Sequence, residues 1–326
     1  MIILAAILRR LQLTGGSTYI ISLPSEWVHR NALVKGSQLL IEESGNNLTL
    51  KISENVNREK SKRMDFSSDA DLALLQRALT SFYIAGYDTL TLHSDRFINN
   101  DLRDSIKTFT KLLMGIEIFE ESSDTIVLQN VLDSRSFPIE KALRRMSTNV
   151  SVMLSDVGKS LEDHNRDLLE SVIRRDDEVD RFHWYIFREV RNIWNSEAPF
   201  FLILSRILER IADHSVNIAK LLLEFNPEKI KATKIMNSMY EFSVKTYEEA
   251  VSAFYSRNFS GLNALVERKR EITLKKKEML DSLKASDPIQ FYAVVSEEIG
   301  RIGSYGTDIA ELAMDMILSG NDVFRV

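Results

Sequence analysis

The stretch Leu208-Glu209-Arg210-Ile211-Ala212-Asp213-His214-Ser215-Val216-Asn217-Ile218-Ala219-Lys220-Leu221 decides how this chain is read, because a second copy of it exists. Moved forward by 91 positions, it lies on Ile299-Gly300-Arg301-Ile302-Gly303-Ser304-Tyr305-Gly306-Thr307-Asp308-Ile309-Ala310-Glu311-Leu312. Arg, Ile, Ile, Ala and Leu coincide, five of fourteen positions, where average composition gives about one. The same shift carries Asp176 to Glu267 and Asp180 to Glu271. Apolar residues recur at helical spacing on both sides of each copy and predict helices over 139–163, 166–196, 198–224, 228–257, 259–284 and 288–319. Pro199, Pro227 and Pro288 fall where helix pairs can turn. The reading is a mainly α chain whose residues 135–326 form a six-helix domain of two tandem three-helix units, 138–225 and 228–320.

Composition agrees with long helices. Among 326 residues only 12 are Gly and 5 are Pro, well under ordinary usage. Hydrophobic residues at 44% and charged ones at 27% exclude both a disordered tail and a membrane protein. With no cysteine, disulfides, thiolate zinc sites and a Cys nucleophile are all excluded, and a reducing interior fits. The longest apolar run, Met1 to Leu8, is too short to span a bilayer, and its basic pair follows it, opposite to a signal peptide. A cytoplasmic protein without a transmembrane segment is expected. Residues 1–63 hold nine Lys and Arg against five Glu, a surplus of +4, so the remainder carries −9 of the net −5. A basic head stands on an acidic body.

That head, residues 1–54, reads as short strands and turns. Leu11 to Thr14 leads into Gly15-Gly16, Thr18 to Leu23 is β-branched and aromatic, and Pro24 closes it. A short helix runs from Ser25 through Leu33 to Lys35-Gly36. Leu39-Leu40-Ile41 and Leu48 to Ile52 flank the polar turn Ser44-Gly45-Asn46-Asn47. A unit of this size buries little surface alone and calls for a partner chain. Residues 55–67 are charged and are expected to be a linker. Residues 68–134 alternate helix and strand patterns and predict a small α+β module without a chemical motif.

Carboxylates at i and i+4 share one helix face. The first unit has two such pairs, Asp176/Asp180 on its second helix and Glu209/Asp213 on its third. If those helices meet, four carboxylates confront one another and must protonate or recruit cations. Oxygen-only donors favour hard cations. The competing reading is a solvated charged face neutralised by Arg174, Arg175 and Arg210.

Leu208 to Ala219, preceded by Arg175-Asp176-Asp177-Glu178-Val179-Asp180, resembles the signature of the PhoU phosphate-uptake regulators over roughly residues 138–320. The resemblance implies two three-helix bundles whose paired acids hold metal clusters. Asp176, Asp180, Glu209 and Asp213 are then the ligand candidates, with iron, manganese, magnesium or zinc as the ion. Glu267 and Glu271 are weaker candidates, since Gly300 and Ser304 replace the acids of the second unit's last helix. His183, three residues after Asp180, is a further weak one. His214 follows Asp213 but points roughly 100° away on the helix, so it is at best a neighbour of the ligands.

Arg9 to Trp27, with Leu33-Val34-Lys35-Gly36-Ser37 after it, is similar to the SpoVT/AbrB swapped-hairpin domain, which implies a homodimer that binds DNA. Arg9, Arg10, His29, Arg30 and Lys35 are the candidate contacts, since phosphate contact needs basic side chains. Ser17 and Thr18 stand where that family carries a basic residue after its Gly turn. The lone Glu26-Trp27-Val28-His29 spells a di-iron element, but such sites need two copies in a helical bundle. No phosphate loop, nucleophile elbow or Ser/His/Asp constellation is present. The function expected is a dimeric DNA-binding regulator of phosphate homeostasis with a metal-binding helical body, not an enzyme. The alternatives are an adaptor that controls a phosphate transporter or sensor kinase at the membrane without touching DNA, and a carboxylate-bridged metalloenzyme, for which no nucleophile or base is evident.

Overall fold

A Gly-Gly turn shapes the start of the first of two units, Met1–Arg58. The computed structural model describes residues 7–44, 47–52, 60–67, 69–133, 136–191, 197–225 and 234–319. Gly15 and Gly16 both have positive φ, a conformation that costs other residues strain. They fold β1 (Gln12–Thr14) back on β2 (Thr18–Ile20), with Leu13 opposite Tyr19. A one-and-a-half-turn helix α1 (Ser25–Arg30) follows. The hairpin β3 (Leu39–Ser44) and β4 (Asn47–Ile52) then pairs Leu39 with Ile52. Gly45 and Asn46, the centre of the expected turn, lie outside the described residues. Among the described residues of 7–52 no side chain is buried, and Leu11, Leu13, Tyr19, Ile21, Val34 and Ile41 are exposed.

The second unit is Glu59–Val326 and opens with a four-stranded sheet in the order β5-β6-β8-β7. Strand β5 (Ser61–Phe66) runs parallel to β6 (Thr89–Ser94) across the helix α2 (Leu72–Ile84). After α3 (Asn100–Thr110), β7 (Ile116–Glu121) and β8 (Thr125–Asn130) complete the sheet antiparallel. Asp71 and Asn99 cap the two helices by accepting from the backbone N–H of Ala73 and Leu102. The expected linker 55–67 is therefore corrected over its last part: residues 61–66 are an edge strand of the module. The basic run hides a two-residue alternation, Met64 and Phe66 packing inward while Lys62, Arg63 and Asp65 point to water. Residues 53–59 are not described.

Six long helices follow: α4 (Ile139–Asp163), α5 (Arg166–Val190), α6 (Ala198–Glu224), α7 (Lys234–Ser256), α8 (Leu262–Asp281) and α9 (Ile289–Leu318). Asn165 caps α5, and His164 in the left-handed region ends α4. Within each unit the three helices pack on one another. The two units join through equivalent helices, α4 on α7 and α6 on α9, so one apolar core runs through all six. Tyr240 and Tyr247 of α7 donate their hydroxyls to the backbone carbonyls of Leu154 and Ser147, and the Tyr255 hydroxyl meets that of Ser147. Burial holds all three phenols neutral, far above their ordinary pKa.

Burial also corrects the repeat. Leu208/Ile299, Ile211/Ile302 and Ile218/Ile309 match at a spacing of 91 in the third helices. In the second helices Leu169/Leu262, Val172/Leu265, Val179/Ile272 and Ile186/Met279 match at 93, as do Leu143/Met236, Leu154/Tyr247 and Leu161/Phe254 in the first. The structural counterparts of Asp176 and Asp180 are therefore Lys269 and Thr273, not Glu267 and Glu271.

The module docks on α5. Arg188, 4% exposed, donates from Nη1 to the carbonyls of Tyr83 and Tyr87 and from Nη2 to Asp88 Oδ1 at 2.9 Å, with its guanidinium over the Tyr83 ring. Trp184, one turn earlier, tilts against Phe109 of the module core.

Helix α9 lies close to its neighbours through glycine. A Cβ on Gly306 would come within 2.8 Å of the Tyr247 backbone nitrogen, whereas one on Gly300 would meet Met239 Cε at an ordinary 3.5 Å. Gly306→Ala is expected to lose about 1–3 kcal/mol to overpacking against unyielding backbone, and Gly300→Ala to gain up to about 1 kcal/mol from helix propensity. Urea unfolding of both variants checks this, and equal stability of the two would refute the close approach.

Candidate functional site

Asp176 and Asp180 stand on α5 where it crosses α6, and Asp176 occupies a slot of the three-four stripe that otherwise reads Leu169, Val172, Val179, Ile186. A carboxylate in a core-facing slot is desolvated. Burial first, then the charges of Asp213, Glu209 and Asp177, push the Asp176 pKa up to about 6. Asp180 rises to about 7 for the same reason, with Asp176, Glu209, Asp213 and Asp177 all acting in that direction. Burial and Asp213 also raise Glu209, against the pull of Arg206 and Arg210. The fold thus brings the four first-unit acids into one mutually repelling cluster.

Their partners differ. Arg206 donates to Glu209 Oε1 at 3.1 Å and Arg210 to Asp213 Oδ2 at 3.3 Å, both within α6. Glu209 Oε2 is buried and accepts no hydrogen bond. Among the described residues no three His, Cys, Asp or Glu side chains are gathered tightly enough to hold one ion. Glu209 Oε2 has only the Arg210 guanidinium, 3.6 Å away, as a charge partner, and an all-oxygen donor set of this kind fits a hard cation. Closing around an ion would require Glu209 and Asp213 to turn from their arginines.

His183 lies inside the bundle, edge-on to Phe187, with its Nδ1 unpartnered. Burial, then Arg206, lowers its pKa to about 4, so it is a neutral packed ring. Glu267 and Glu271 are exposed on α8, the latter 3.9 Å from Lys275. They stand two positions off the register of the first-unit pair, so they are not its positional counterparts. At the equivalent place the second unit has Lys269, which reaches Asp308, and Ser304, which donates to the Gly300 carbonyl. His214 turns away from the acids to Glu298 across the unit boundary, at 2.6 Å, and Asn217 donates to the same oxygen. Burial opposes ionisation of Glu298, but these two partners hold its carboxyl below the usual range.

The nucleic-acid candidates Arg9, Arg10, His29, Arg30 and Lys35 are all exposed on the first unit. Arg9 and Arg10 precede β1, His29 and Arg30 form the last turn of α1, and Lys35 precedes the Gly36 turn. Sequence reasoning missed Arg188 and the His214–Glu298 pair, since each is defined by a residue 80 or more positions away.

Residues 143–222 match the model of the PhoU domain, and residues 12–61 match "Antidote-toxin recognition MazE, bacterial antitoxin". A PhoU-homologous accessory protein of a phosphate-specific transport system from Clostridium acetobutylicum is 27% identical over 131 residues, 38% of this chain and 59% of that protein. This chain thus spans less than two thirds of that relative's length. A second such homolog, from Thermotoga maritima, is 25% identical over 194 residues, 53% of this chain and 83% of its own. The crystal structure of PhoU from Pseudomonas aeruginosa overlays with a TM-score of 0.51 at 17% identity, covering 56% of this chain and 96% of that one, which is a likeness of fold.

The acid cluster has a pH consequence. Its folded-state pKa values lie above the ordinary 3.8, so the fold keeps protons that the unfolded chain has released. The stabilisation is complete below about pH 4 and is lost as pH climbs through 6 to 7. Metal-stripped protein is expected to melt lower at about pH 8 than at about pH 5, and Asp180→Asn to raise the melting temperature at the higher pH and flatten the slope. Scanning calorimetry with chelator present checks this; an unchanged slope in Asp180→Asn would refute it.

Proposed function

We propose, from the premise that this chain is PhoU-like in its helical body and MazE/AbrB-like in its head, that it is a regulator of phosphate transport and not an enzyme. One observation carries the reading: the PhoU-domain match over residues 143–222 encloses all four acids of the cluster. The head serves as the dimerisation element. Its lack of any buried side chain among the described residues of 7–52 supports a second copy that covers Leu13, Tyr19 and Ile41. The dimer presents Arg9, Arg10, His29, Arg30 and Lys35 twice, for contact with DNA phosphates. The acid cluster takes up a hard cation, iron, manganese, magnesium or zinc, through Asp176, Asp180, Glu209 and Asp213. The ion supplies the positive charge that the raised Asp176 and Asp180 lack. By linkage, occupancy then changes the surface offered to a partner. No helix among the described residues is long and apolar enough to cross a membrane, and a cytoplasmic placement belongs to the same proposal.

The second reading is an adaptor without DNA binding, acting on phosphate-transporter components or a sensor kinase. It is favoured by Ser17 and Thr18, which leave the turn between β1 and β2 without a cation.

An electrophoretic shift with the DNA upstream of the protein's own coding region separates the two. For the regulator, a complex forms at low salt, and Arg9→Ala/Arg10→Ala, which removes four cations from the dimer, weakens it while lowering the slope of log affinity on log salt by up to about 4. Absence of any complex at low salt leaves the adaptor. Elemental analysis of protein stripped and reloaded tests the cluster: Glu209→Ala and Asp213→Ala are expected to lose the bound metal, and Glu267→Ala to retain it. Undiminished metal in both first-unit variants would overturn the ligand set.

A further inference from the structure

On the side of α4 and α5 that meets the module lies a cleft of about 470 Å³, within the range of small-molecule sites. Helix α4 contributes Arg145 and Asn149, α5 contributes Glu178, Arg181 and Phe182, and Met114 from the turn before β7 closes it. A second cleft of about 520 Å³ adjoins it along α3 and β7, with Lys107 and Lys111 in its lining. Arg181 lines both.

The polar bookkeeping of this place is unfinished. Arg181 Nε is buried without a hydrogen-bond acceptor, a state that costs the full desolvation of the group. Neither Arg145 nor Arg181 has an ion-pair partner among the described residues, whereas Arg166 on α5 and Arg206 and Arg210 on α6 each have one. Two unpaired guanidiniums are a fork-shaped receptor for phosphate oxygens, which they bind bidentately. The rest of the lining differs in kind. Met114 and Phe182 form an apolar wall, and the one acid, Glu178, is held by the Asn149 amide at 3.2 Å. A carboxylate so placed accepts from a hydroxyl or amino group and repels a second anionic charge.

We infer that this cleft binds a small organic phosphate, its phosphate on Arg145 and Arg181 and its hydroxylated or ring portion against Phe182, Met114 and Glu178. Inorganic phosphate would fill only a small part of the volume and leave the apolar wall and Glu178 without a partner. Bound there, the ligand touches α4, α5 and the module's Met114 turn at once, and so ties the module to the helical body beside Asp180. The inference stands apart from the proposed role in phosphate transport, because its readout is binding to the full chain, whatever that chain regulates.

Calorimetric titration of the full chain with adenosine 5′-monophosphate, ribose 5-phosphate, adenosine and inorganic phosphate tests it. The two esters are expected to bind at least tenfold more tightly than adenosine or inorganic phosphate. Arg181→Gln and Arg145→Ala should each weaken the esters by roughly ten- to a hundredfold, the size of a lost charge-assisted hydrogen bond. Arg145 is exposed, so its variant keeps the fold, which an unchanged melting temperature without ligand verifies. Hydrogen exchange should slow at residues 111–116 when ester is present. The inference is overturned if neither ester binds at millimolar concentration, if inorganic phosphate binds as tightly as the esters, or if the Arg145 variant binds them undiminished.

Discussion

Helix α5 has three faces engaged at once, and the second unit of the protein is arranged around that constraint. One face carries Leu169, Val172, Val179 and Ile186 into the common core. A second sends Trp184 and Arg188 into the α+β module. The third, at the edge of that core stripe, sets Asp180 together with Asp176 from the stripe itself against the acids of α6. A surface helix ordinarily leaves its polar side to water. Here the guanidinium of Arg188 is out of water and bonded to two carbonyls and a carboxylate. An orientation fixed by such a buried, fully used group cannot drift without stranding a charge. That rigidity holds the Asp176/Asp180 pair in its desolvated place.

The two three-helix units have diverged by exchanging charge for close packing. Where the first unit has Glu209 and Asp213, the second has Gly300 and Ser304, and Gly303 and Gly306 follow in contact with Ile272, Ser243 and Tyr247. The acid cluster raises the pKa values of Asp176 and Asp180, whereas in the second unit glycine lets α9 approach α7 and α8 closely. Across the boundary, the tyrosines of α7 and the His214–Glu298 contact knit the halves. The two units thus share one core.

The first unit, the head, obeys a different economy. Its turns are formed by Gly15 and Gly16 and its hairpins register cleanly, yet its apolar side chains stay in water. Local hydrogen bonds define strands without supplying a core, and a unit of this size has too little interior to be independent.

The sequence by itself determined the six long helices of the body, since scarce Gly and Pro and the helical recurrence of apolar residues act within a few positions of each other. It also excluded thiolate-held metal, because there is no cysteine. It placed each pair of first-unit acids on one face of its own helix, because i and i+4 spacing is a local property; that the two helices meet was decided by the tertiary structure. What it misjudged was non-local. Strand β5 lay hidden in a basic run because only its partner β6 shows that Met64 and Phe66 turn inward. The pairing of Asp176 with Glu267 failed because one shift cannot serve three helices whose core contacts advance by 93, 93 and 91 residues. Arg188, His214 and the cleft at Arg181 belong to the tertiary structure alone: their meaning is set by partners far away in the chain, and no local pattern records which distant carbonyl or carboxylate a side chain will meet.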